Sequence, residues 1–163
     1  MPYHTFHQFL IEASLAKTLQ VLDDRSFGII TGGDVDSDKL LGAAVAKAKY
    51  GTLHLIGEFV KPSEDKEKEP TRVPDSSFVV IGGEKTDPLD LRKFLFHQAD
   101  KFNRPSFMFK AKGHPKILVI GVDEEAWPGR NTAAKLGEYS NQKFVHFVKK
   151  WKGSHYEFLS LTM

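Results

Sequence analysis

The chain has 163 residues, 40% hydrophobic and 27% charged, with a formal net charge of +2. That balance excludes a disordered chain, and the charge is too small to argue nucleic-acid binding by itself. There is no cysteine, which removes disulfides, thiolate metal ligands and a cysteine nucleophile. No apolar run reaches the roughly 20 residues of a membrane span. The start lacks the basic flank and apolar stretch of a secretory signal, so a soluble protein of cytoplasmic type is expected.

In chain order, residues 5–22 place Phe6, Phe9, Leu10, Ala13, Ala16, Leu19 and Leu22 near one helical face. Residues 27–30 read as a short strand broken by Thr31-Gly32-Gly33. A helix is predicted over about 38–49, with Asp36, Ser37 and Asp38 as N-cap candidates and Gly51 at its C-terminal stop. Residues 52–60 form a strand with apolar residues on both faces. Residues 61–74 hold Pro62, Pro70 and Pro74 among charges and read as a solvated loop. A strand over 77–81 ends at Gly82-Gly83, and Asp87 followed by Pro88 starts a helix that runs to about 102. Residues 106–111 and 116–122 pair as a hairpin. Residues 123–137 read as irregular, with one helical turn near 132–136. Residues 142–151 fit a helix, with a strand as the alternative, and 155–161 close the chain as a strand.

This order predicts an α+β fold: a ferredoxin-like split β-α-β core, mainly antiparallel, with helices on one face, plus an N-terminal helix. The alternative is a small α/β sheet, because strand-Gly-Gly-helix occurs twice.

Those two turns are one source of candidate chemistry. Gly32, Gly33, Gly82 and Gly83 each precede a helix, where free backbone N–H groups attract anions. A nucleotide-binding protein or small enzyme would use them with His97, Arg130 and Lys143 as phosphate or base contacts. The pattern fits no phosphate-loop motif, and tight turns account for the glycines equally well. Asp34, Asp36 and Asp38 alternate like the opening of a calcium loop, but Lys39 and Val45 stand where that loop needs Gly and Glu. The seven histidines show no metal spacing, so no metal, cofactor or catalytic residue is predicted.

Two stretches suggest partners. Trp127-Pro128-Gly129-Arg130 combines the residue types that most often anchor protein interfaces. Lys143, Lys149, Lys150 and Lys152 interleave with Phe147, Trp151 and Tyr156, a pattern used to bind single-stranded nucleic acid.

The segment containing Phe6, Phe9, Leu10, Glu12 and Ala13 resembles the capsid-targeting segment of internal head proteins of T-even-type bacteriophages. There an aromatic-rich start runs into Phe-(Leu/Ile)-x-Glu-Ala, and the prohead protease cuts after the Glu. The resemblance covers about residues 1–16. It implies that residues 1–12 are a cleavable address and 13–163 a single α+β domain. Leu10, Glu12 and Ala13 would form the processing site for the phage protease. The implied location is the head interior of the virion and then the host cytoplasm, where the domain would bind and inhibit a host defence or regulatory protein.

Overall fold

Strand β1 (Phe27–Ile30) is buried along its whole length, because every later layer of the fold packs around it. The computed structural model describes residues 15–162 apart from residue 66. After β1 come α1 (Val35–Lys47), β2 (Gly51–Lys61), β3 (Thr71–Ile81), α2 (Pro88–Lys101) and β4 (Ser106–Lys110). The chain continues through β5 (Lys116–Gly121), β6 (Ala133–Glu138), a 3-10 turn (Asn141–Lys143), α3 (Phe144–Lys152) and β7 (Tyr156–Thr162). Residues 15–20 are helical.

The seven strands form one sheet in the order β6-β5-β4-β1-β3-β2-β7. All neighbouring strands are antiparallel. The central four, β4-β1-β3-β2, have the arrangement that the split β-α-β reading predicts, and the fold is α+β. The later strands extend the sheet outward: β5 and β6 beyond β4, and β7 beyond β2.

The two crossover helices share one face, as expected. Leu41 and Val45 of α1, with Leu91, Leu95 and Ala99 of α2, pack on Ile30, Val80, Phe107 and Phe109. The opposite face is covered as well. Leu19 and Leu22, with Phe144, Phe147 and Val148 of α3, pack on Phe27, Ile29, Leu53, Leu55, Val79 and Met108. Two covered faces explain why the central strands read as apolar runs without alternation. Each fully buried Leu, Ile or Phe is worth about 1.5–3 kcal/mol relative to exposure.

Several boundaries differ from the sequence reading. Helix α1 begins before Asp36, because Asp34 is extended (φ −145°) and its Oδ1 accepts a hydrogen bond from Ser37 N–H. Beyond the C-cap Ala48, Lys49 takes the left-handed conformation (φ 64°), while Gly51 opens β2 opposite Ile81. Strand β3 starts at Thr71, so Pro74 lies inside it, opposite Glu58. Ile30, the last residue of β1, pairs with Phe78. Pro74 is thus past the β1 ladder, where its missing N–H breaks no bond to β1.

Residues 133–138 are strand β6, not irregular chain or a helical turn. Hydrogen bonding to β5 stabilises a segment whose own strand propensity is low. The Asp87–Pro88 start holds: Asp87 Oδ1 accepts from Leu89 N–H at 2.8 Å.

Candidate functional site

Strand β5 runs into a loop, residues 122–132, that is pinned at its neck. Val122 and Asp123 N–H both donate to Pro105 O, at 2.9 and 3.2 Å. Gly121 N–H donates to Thr132 O at 2.8 Å, and Asn131 N–H to Gly121 O at 3.0 Å. Inside the loop, Gly129 N–H donates to Ala126 O at 2.7 Å. Gly129 has φ 100° and its carbonyl lies so close to Gly121 that a Cβ there would collide with it. The Trp127–Pro128 peptide is cis.

Arg130 ties this loop to α2. Its Nη1 donates to Val122 O at 2.9 Å and to Asp100 Oδ1 at 3.1 Å. Its guanidinium lies 5.2 Å from the Phe96 ring centroid. The hydrogen bond and charge of Arg130 hold the Asp100 carboxyl below the ordinary aspartate range. Arg130 is therefore occupied within the molecule, whereas Trp127 is 62% exposed.

Beside the loop lies a cleft of about 420 Å³ lined by Asp100, Asn103, Arg104, Val122, Asp123, Glu124, Glu125 and Arg130. Its charge is mainly acidic at the Asp123–Glu125 end. His97, one helical turn before Asp100, contributes to lowering the Asp100 pKa. The structure thus sets Arg130 against the Asp100 carboxylate with His97 one turn earlier on α2, and leaves Lys143 on a different element.

The glycine turns are filled from within. Gly32 N–H donates to Asp38 Oδ1 at 2.8 Å, and Gly33 N–H to Thr31 Oγ1 at 3.2 Å. Gly82 N–H donates to Ser26 O at 2.8 Å. Gly83 N–H donates to Thr86 Oγ1, also at 2.8 Å. A side-chain carboxylate thus already occupies the first turn where an anionic ligand would sit. Burial raises the Asp38 pKa, with the Gly32 N–H opposing. Arg104, which lines the cleft, packs on Gly33, where a Cβ would stand 2.8 Å from Cζ.

The C-terminal cations separate into two groups. Lys143, Lys149 and Lys150 are exposed. Lys152 is not: its side chain is 6% exposed and its Nζ lies 2.7 Å from Asp75 Oδ2. The contact is a close ion pair with poor hydrogen-bond alignment, since Asp75 Oδ2 has no hydrogen-bond partner among the described residues. Burial lowers the Lys152 pKa and Asp75 opposes the shift. Ser77 Oγ and Tyr156 Oη are likewise buried and without a hydrogen-bond partner among the described residues. Tyr156 lies against Gly57, which faces Asp75 across β2 and β3.

The aromatic residues interleaved with these lysines face inward. Phe147 and Tyr156 are buried, and Trp151 donates its indole N–H to Ser106 Oγ at 2.9 Å. The buried Asp75–Lys152 pair with Ser77 and Tyr156 escaped the sequence reading, because Asp75 falls between the loop read over residues 61–74 and the strand read over 77–81. Its one sequence signal is the alternation of Asp75, Ser77, Val79 and Ile81. Leu10, Glu12 and Ala13 lie outside the described residues. Among the described residues no group of three or more His, Cys, Asp or Glu is arranged to hold a metal ion, and no helix is long and apolar enough to cross a membrane. No protein-family model, curated protein or solved structure matches the chain.

Proposed function

We propose that this chain is an internal head protein of a T-even-type bacteriophage, delivered with the genome, whose α+β domain binds and inhibits a host defence or regulatory protein in the host cytoplasm. The resemblance at Phe6, Phe9, Leu10, Glu12 and Ala13 supports delivery. The observation that carries the binding reading is Trp127, 62% exposed on a loop whose neck is held by backbone hydrogen bonds and by Arg130. A large aromatic presented on a pinned loop loses little conformational freedom on binding. The complementary partner offers an apolar pocket for the indole, with cations facing Asp123, Glu124 and Glu125. The nucleotide reading loses its main support, because the N–H groups of Gly32, Gly33, Gly82 and Gly83 all have partners within the chain.

Two measurements test this. Co-expression with the prohead protease, followed by N-terminal sequencing, is expected to give a new terminus at Ala13. An unchanged terminus rules out the address. A partner captured from host lysate by the full chain is expected to lose at least about 30-fold in affinity with Trp127→Ala, the size of a loss of about 2 kcal/mol at an interface anchor. Equal affinity of the variant removes the loop from the interface.

A further inference from the structure

We infer that the outward face of α3 is a contact surface for the phosphate backbone of a nucleic-acid duplex. The inward side of α3 is committed to the core, with Phe144 1%, Phe147 4% and Val148 0% exposed. What remains outward is His146, Lys149 and Lys150, together with Lys143 at the N-cap of α3, all exposed and spaced three, three and one residues apart. No acidic residue occurs between Asn141 and His155. Neither Lys143 nor Lys149 has an ion-pair partner among the described residues. Lys150 Nζ donates to Leu136 O at 2.9 Å, which holds its charge beside the edge strand β6. The one acid of β6, Glu138, stands opposite Lys116 in the sheet register.

A duplex suits this face better than a single strand or a membrane does. Single-stranded nucleic acid needs aromatic faces on which bases stack, but Phe147 and Tyr156 are buried and Trp151 is held at Ser106. A membrane surface takes a basic amphipathic helix by burying its apolar side, and that side of α3 is already in the core. A duplex asks for cations alone and carries one charge per about 1.7 Å of axis. Lys143 and Lys150 are about 10 Å apart along the helix at 1.5 Å per residue, a span that reaches more than one phosphate. Lys152 takes no part, since Asp75 holds it.

The test is fluorescence anisotropy of the full chain with a 20-base-pair duplex DNA, a 20-nucleotide single strand and phosphatidylserine vesicles over 20–200 mM salt. Three phosphate contacts give a slope of about −2.7 in log affinity against log salt, hence about 40-fold weaker duplex binding at 200 than at 50 mM. Lys143→Gln with Lys149→Gln is expected to reduce the slope to about −0.9 with an unchanged melting temperature. Lys143→Arg with Lys149→Arg should keep it. Any of four results overturns the inference: no duplex binding at 20 mM salt, an unchanged slope in the glutamine variant, tighter binding of the single strand, or vesicle binding where the duplex does not bind.

Discussion

Lys152 stands in a run of cations, yet burial separates it from its neighbours. The side chains of Lys152 and Asp75 are 6% and 16% exposed, so little solvent screens the pair. Removing one partner leaves a buried charge without its counter-ion, which costs about 3–5 kcal/mol. Asp75→Ala is therefore expected to lower unfolding free energy by about that amount in urea titrations. Replacing both partners, with Asp75→Leu and Lys152→Met, should cost much less, because no charge is then stranded. A double variant as damaged as Asp75→Ala would show that the site depends on ions and not on packing. Sequence alone could not separate Lys152 from Lys149 and Lys150. The difference lies in a strand residue more than seventy positions earlier in the chain, which the structure places beneath the end of α3.

At the scale of elements, the readable parts are those with strong local signals. Asp87 with Pro88 marks the start of α2, and the apolar runs mark β1 and the C-terminal half of β3. The unreadable parts depend on neighbours. Strand β6 exists because β5 supplies its hydrogen bonds, and the first half of β3 because β2 does. The same dependence shapes the Trp127 loop, whose only strong sequence cue is Trp-Pro-Gly-Arg. Its position is set by Gly121, which lets the Gly129 carbonyl approach. Gly121→Ala is expected to push the loop off β5. Amide exchange at Asn131, whose N–H donates to Gly121 O, should then rise sharply and melting should come earlier. Unchanged protection at Asn131 would mean that the loop keeps its place on β5 without a glycine at 121.

For the whole molecule, two buried phenols set the response to base. Burial, with Asp23 beside Tyr139 and Asp75 beside Tyr156, raises both phenol pKa values above 10.0. Above pH 10.0 the unfolded chain gives up these protons before the folded chain does. The stability they contribute is thus complete below that pH and declines as pH rises towards their folded values. Lys152 acts in the opposite sense. Its lowered pKa, shared by the Lys110 ammonium and for the same cause of burial, means that stability recovers as pH rises from the folded values to 10.5. The phenols are expected to dominate above pH 10.5, and urea midpoints measured at pH 10.5 and 11.5 should show the decline. Tyr139→Phe with Tyr156→Phe should flatten it. An equally steep decline in that variant would assign alkaline unfolding to other groups.

The strand order also has a consequence for how the chain is made. The central strands β4-β1-β3-β2 are complete once residue 110 has been synthesised. The strands that cover their flanks, β5, β6 and β7, are all made later. A nascent chain thus exposes both open edges of a four-stranded sheet until its last third leaves the ribosome, and such edges invite pairing with other chains. β7 must then find β2 across roughly a hundred residues, with His54 opposite Thr162. Closure over so long a loop is entropically costly and slow, so sealing the β2 edge is expected to be among the late steps of folding.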